Sequence, residues 1–152
     1  MVITFVGHSS VASVEDVKKR VKEQMKNYIN TCESLICYLG GYGEFDEICA
    51  NVFRDLKCKD RSIQLVYVTP YISLSEQKRI KDMKQYELYD EVLYPPIENT
   101  PLKFAISKRN EWMIKNSDLV IAYVNHSYGG AYKSLKIAKR MKKNIINICD
   151  FY

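Results

Sequence analysis

The chain has little of what builds a metal centre. It holds two histidines and five cysteines, Cys32, Cys37, Cys49, Cys58 and Cys149, at spacings that fit no zinc pattern. No metal and no cofactor is therefore expected. The thiols read as reduced and packed like small apolar groups. No stretch approaches the ~18 apolar residues that a membrane span needs. The opening MVITFVGHSS lacks a basic leader and a small-residue cleavage site, so it reads as a first strand and the chain as cytoplasmic. No linker, low-complexity tract or internal repeat interrupts the sequence. Its 152 residues match the length of one ordinary domain, and 1–152 is read as such.

What is present is a core and a basic excess. Apolar residues make up 47% of the chain, enough for a sizeable interior, and the formal charge is +5. Much of that excess lies in KSLKIAKRMKKN near the C-terminus. A solvated helix face explains this run first, an anionic ligand such as a phosphate second, and nucleic acid last. Tyrosine is abundant, yet no stretch interleaves basic and aromatic residues as a single-strand groove would.

The apolar pattern alternates between strands and helices. Val2 to Val6, Leu35 to Leu39, Ser62 to Thr69, Leu119 to Val124 and Ile145 to Cys149 read as buried strands. Between them, helical periodicity starts at Ser13, with Asp16 completing a weak capping box, and continues through Val17, Val21 and Met25. Further helices are expected at Glu44 to Leu56, Phe104 to Asn116 and Ala131 to Lys142. Residues 71 to 103 hold a polar helical piece, a short EVLYP strand or extended segment and a proline-rich turn. Strands that are nearly all apolar and alternate with helices point to an α/β three-layer sandwich with a mostly parallel central sheet. Right-handed crossovers follow.

Three strand ends carry turns suited to close approach: GHSS at 7–10, GGYGEFD at 40–46 and NHSYGGAYKS at 125–134. The last two run straight into helices, whose N-termini offer unpaired N–H groups to a phosphate or carboxylate. Neither is a full dinucleotide fingerprint or a phosphate loop, since Asp46 stands at the third glycine position and no Gly-Lys-Ser/Thr follows. Each could be only a tight turn. Two of them in one small domain favour a nucleotide-like ligand at the strand ends.

The ordered set Phe5-Val6-Gly7-His8, Gly40 to Asp46, Arg109-Asn110-Glu111-Trp112-Met113 to Ser117-Asp118, and Gly129-Gly130-Ala131 resembles the SLOG superfamily. That group unites the Rossmann-like domain of DNA-processing protein A with the Lonely Guy phosphoribohydrolases. The likeness is strongest to its small stand-alone bacterial members. It implies a Rossmann-like fold, a nucleotide-derived ligand over the glycine turns, and pairing of copies into a homo-oligomer. It leaves open whether that ligand is cleaved. Gly40, Gly41, Gly43 and Glu47 fall in step with the hydrolase motif G-G-x-G-T-x-x-E, with Glu44 in place of its threonine. In chain order, however, Arg109, Met113 and Ser117-Asp118 precede Gly129-Gly130-Ala131, so the hydrolase glutamate falls near Ser134 or Leu135. Neither is a carboxylate. Catalysis would have to draw on Asp46 or Glu47, or on Glu44, from the other turn.

The ligand-binding set expected is Gly7, His8, Ser9, Gly40, Gly41, Gly43, Phe45, Asp46, Arg109, Asn110, Asn125, Ser127, Gly129, Gly130, Ala131 and Lys133. Asp46 could hold ribose hydroxyls or merely complement a helix dipole. Arg109 is the main candidate for a bidentate phosphate contact, against the reading of an ordinary surface charge. His8 could bond a base, a ribose or its own loop, and His126 is the weaker of the two. Lys133 could neutralise a phosphate or face solvent. Trp112 is read as core or wall. The expected function is binding of a nucleotide-derived small molecule by a sensor or sequestering protein, and the alternative is a nucleoside-5'-phosphate N-glycosidase or ribosyl-transferring enzyme.

Overall fold

The structure, a computed structural model, describes residues 1–59 and 62–149. It contains β1 (Val2–Gly7), α1 (Val14–Thr31), β2 (Leu35–Leu39), α2 (Glu44–Lys57), β3 (Ile63–Val68), α3 (Leu74–Gln85), β4 (Glu91–Leu93), a short 3-10 turn (Leu102–Phe104), α4 (Ala105–Lys115), β5 (Leu119–Tyr123), α5 (Gly129–Arg140) and β6 (Asn144–Asn147). The six strands lie in the order β4-β3-β2-β1-β5-β6, and every pairing is parallel. This is the Rossmann-like three-layer arrangement. No helix among the described residues is long and apolar enough to cross a membrane.

Both faces of the central strands are covered, and side-chain alternation distributes them. Ile3 and Phe5 of β1 join Val17, Val21 and Met25 of α1 and Ile48, Val52 and Phe53 of α2 in one cluster. Val6 of β1 points the other way, toward Ile114 of α4 and Leu135 and Ala138 of α5. This double burial is why the strands read as continuous apolar runs.

Local signals set the helix starts. The Ser13 side chain accepts from the Asp16 N–H at 3.4 Å. The Asp16 carboxylate pairs with Arg20 at 3.0 Å, so only half of the expected capping box forms. Helix α5 begins at Gly129, two residues earlier than the periodicity suggests.

The chain runs outward from β1 through β2 and β3 to β4, then returns to place β5 on the other side of β1. Strand order therefore reverses between β1 and β5. A crevice opens at the carboxyl ends of such strands, because the loops that follow them leave in opposite directions. Gly7, Gly40 to Gly43 and Asn125 to Ala131 all follow or end strands at this edge.

Candidate functional site

A cavity of about 440 Å³ occupies this crevice, within the range of small-molecule sites. Of the residues singled out in the sequence, Gly7, His8, Ser9, Gly40, Phe45, Asp46, Arg109, Asn110, Gly129, Gly130 and Ala131 border it. Gly41, Gly43, Glu47, Asn125, Ser127 and Lys133 do not, and Glu47, Ser127 and Lys133 are exposed elsewhere. Tyr42, Ile106, His126, Tyr128 and Ser134 complete the wall. The two tyrosines carry no periodic signal, because they lie inside the glycine turns themselves.

The turn after β2 is held from both sides. Asp46, in the first turn of α2, folds its carboxylate back to accept from the Gly40 N–H at 3.0 Å and the Gly41 N–H at 2.7 Å. Arg109 Nη1 donates to the carbonyls of Gly40 at 2.8 Å and Val68 at 2.6 Å. Its Nε donates to Asn110 Oδ1 at 2.8 Å, and Arg79 donates to the Gly41 carbonyl. The amides of Gly40 and Gly41 are thus occupied, which corrects the expectation that this turn offers them to an anion. Burial pushes the Asp46 carboxyl above its ordinary range, opposed by the two amides and by Arg109 and Arg79. Burial likewise lowers the Arg109 guanidinium, opposed by Asp46. Hydrogen bonds and the opposite charge nearby offset the cost of burying the two groups.

Arg109 is 2% exposed, so it is no surface charge. Its Nη2 carries no hydrogen bond among the described residues, and the side chain borders the cavity. One arm of the guanidinium is left without a protein partner among the described residues while the rest braces the sheet.

Two glycines are close-approach positions for core rings. A Cβ at Gly7 would lie 2.1 Å from the Phe45 ring, and one at Gly41 would lie 2.5 Å from Tyr67. Tyr67 belongs to a buried polar cluster absent from the sequence reading. Its hydroxyl donates to Glu76 Oε1 at 2.5 Å, Thr69 donates to the same oxygen at 3.0 Å, and Arg79 Nη1 donates to the Tyr67 hydroxyl at 2.9 Å. Arg79 also lies 4.4 Å from the centre of the Tyr42 ring, a cation–π contact that steadies this lip of the crevice.

The start of α5 is built differently. Its N-cap, Tyr128, makes no side-chain hydrogen bond to the first turn. Gly129 has φ of +89°, a conformation that requires glycine, and a Cβ at either Gly129 or Gly130 would meet nothing within 4 Å. No side chain caps the first-turn N–H groups of α5, and the positive end of the helix dipole lies behind them.

His8 ties two of the crevice loops together. Its backbone N–H donates to Tyr123 O at 3.2 Å, and its Nε2 accepts from the Asn125 N–H at 3.2 Å. The ring is therefore neutral, with its proton on Nδ1. Burial and the neighbouring His126 both lower its pKa from the ordinary 6.5. Unfolded chains take up this proton first as pH falls, so the contribution of His8 to stability is present above 6.5 and is lost on acidification below it. Melting curves at pH 7.5 and pH 5 are expected to show a smaller acid-induced drop for His8→Gln, which keeps an acceptor and does not titrate, than for the unaltered chain. Equal drops would contradict this.

The fold and this crevice define an open, parallel, doubly wound α/β protein with a cleft at the strand-order reversal. A solved structure that shares the arrangement is DNA processing protein A from Helicobacter pylori, described for its single-stranded DNA binding mode. The TM-score is 0.62 at 16% identity, over 95% of this chain and 63% of that one. This chain therefore spans under two thirds of that protein's length. No protein-family model matches the chain, and no curated protein matches it. The likeness corrects one expectation. Nucleic acid was ranked last among partners, yet the neighbour with this fold is a single-stranded DNA binder. The missing basic–aromatic stretch does not exclude a single-strand binder, because a fold can assemble such a surface from separate loops.

Proposed function

We propose that the crevice binds a nucleotide unit by its phosphate, which lies against the first turn of α5 and within reach of Arg109 Nη2. The observation that carries the reading is the contrast between the two glycine turns. The amides of Gly40 and Gly41 are taken by Asp46, whereas α5 starts with no side-chain cap and open space at Gly129 and Gly130. The protein then acts as a sensor or sequestering protein for a nucleotide or nucleotide-derived molecule, on a scaffold of the SLOG type. Binding of a single strand is the second reading, favoured by the structural neighbour and by the lysines of α5 and the turn that follows it.

The N-glycosidase alternative has less support. Asp46 is bound to two backbone amides, Glu44 accepts from the Val11 N–H at 2.6 Å, and Glu47 lies outside the cavity wall. None of the three stands ready to stabilise an oxocarbenium-like charge or to activate water.

A thermal-shift screen of nucleoside mono-, di- and triphosphates, cyclic nucleotides and short oligonucleotides tests the reading. A ligand at a hundred times its Kd adds ~2.7 kcal/mol, which raises the Tm of a domain this size by roughly 5–10 °C. No shift with any of these ligands would overturn it. Release of free base from a monophosphate would revive the enzyme.

A further inference from the structure

The cleft contains a column of three aromatic rings. His8 and His126 stack with ring centres 3.5 Å apart and planes 12° apart, and His126 and Tyr128 stack at 3.8 Å and 22°. The column begins inside the protein, where His8 is 8% exposed, and ends at Tyr128, which is 70% exposed. Tyr128 borders the cavity and immediately precedes Gly129, the first residue of α5.

We propose that the outer face of Tyr128 is the stacking platform for a nucleobase, so that the site selects base-bearing phosphates over phosphate or sugar phosphate alone. The proposal rests on the phosphate site described above and adds to it the part of the ligand that is recognised beside the anion.

Three features separate this ring from an ordinary exposed tyrosine. The first is rigidity. His8 is pinned through its backbone N–H to Tyr123 O and through its Nε2 to the Asn125 N–H, and the two rings above it inherit that position by stacking. A platform that is already immobile loses little freedom when a base settles on it. The second is charge. Acceptance of the Asn125 N–H makes His8 a neutral imidazole, so the column presents a π-surface to a base. The third is placement. The residue after Tyr128 opens the uncapped turn of α5, so one short segment meets both the base and the phosphate of the same nucleotide. Stacking of this kind tolerates any base, because every base has a π-face.

The same chemistry could come from a free nucleotide or from one link of a single strand. Isothermal titration of the full chain distinguishes them with four ligands: inorganic phosphate, ribose 5-phosphate, adenosine 5'-monophosphate and a short oligothymidylate. The proteins compared are the unaltered chain, Tyr128→Phe and Tyr128→Ala, with circular dichroism to confirm folding. Tyr128 makes no side-chain capping bond, so the fold is expected to survive both changes.

The unaltered chain is expected to bind at least one base-bearing ligand more tightly than ribose 5-phosphate. Tyr128→Phe should match it, because the ring remains. Tyr128→Ala should lose roughly 5- to 150-fold for that ligand, the range for removal of one stacking ring, while its affinity for ribose 5-phosphate stays unchanged. Tighter binding of the monophosphate would identify a free nucleotide as the source, and tighter binding of the oligothymidylate a single strand. Undiminished nucleotide binding by Tyr128→Ala, or ribose 5-phosphate binding as tight as that of the nucleotide, would overturn the stacking role and leave the phosphate site standing. Absence of binding by the unaltered chain to all four ligands would overturn both.

Discussion

Replacing Arg109 with alanine is expected to lower the Tm by about 6–20 °C in the absence of any ligand. Arg109 is 2% exposed and reaches from α4 to the carbonyls that end β2 and β3. Alanine would leave the Gly40 and Val68 carbonyls unpaired and the inward-facing Asp46 carboxylate without its neighbouring cation. Removing one partner from such a buried arrangement costs about 3–5 kcal/mol, and a domain of this size loses roughly 2–4 °C per kcal/mol. Lysine should not restore the loss. Its single ammonium cannot span two carbonyls and the Asn110 side chain as the guanidinium fork does. Differential scanning calorimetry of the unliganded variants decides the matter. An unchanged Tm for Arg109→Ala would return this residue to the role of a solvent-facing phosphate ligand.

Gly130→Asp is expected to separate stability from binding. A Cβ at position 130 meets nothing within 4 Å, so the side chain fits. Aspartate in the first turn of a helix gains about 0.3–1 kcal/mol from the dipole, and loss of glycine from a helix adds about 0.5–1 kcal/mol. The Tm should therefore hold or rise by a few degrees. The carboxylate would occupy the space assigned to the ligand phosphate and repel it, so nucleotide affinity should fall by more than about a hundredfold, the scale of a like-charge clash of several kcal/mol. Gly130→Ala serves as the uncharged control, with the gain in stability and a smaller loss of binding. Equal nucleotide affinity in Gly130→Asp would place the anion elsewhere.

The sheet was legible because period and composition carry it. Five of the six strands stand out as short apolar runs, and the helices between them show a clear apolar face. The exception is the segment from 71 to 103. There α3 is polar on nearly every side and β4 is three residues long, so the sequence shows a helical piece and a short EVLYP segment without fixing their bounds. Its most consequential residue, Glu76, is 5% exposed and bonded to Tyr67 and Thr69. A carboxylate at a helical position reads as solvent-facing unless its partners, nine and seven residues earlier, are known to converge on it.

The glycine turns were legible as turns, but their division of labour was not. GGYGEFD offers amides and a carboxylate in one stretch, and only the backbone path shows that Asp46 turns back on Gly40 and Gly41 and consumes them. GGAYKS lacks any acid in that position, in keeping with the absence of a side-chain cap on α5. Arg109 illustrates a related blind spot. A motif can mark a residue as important without saying whether it holds the ligand or the fold, and here most of its donors go to the fold. Tyr128 and His126 acquire meaning only with His8, which lies 118 residues before His126 in the chain and beside it in space.

Backbone amide chemical shifts followed during titration with a nucleoside monophosphate test the central claim most directly. The account predicts that the amides of Gly129, Gly130 and Ala131 move most as the site fills, while those of Gly40 and Gly41, held by Asp46, move little. Dominant shifts at Gly40 and Gly41 with a silent α5 N-terminus, or no shifts anywhere, would contradict it.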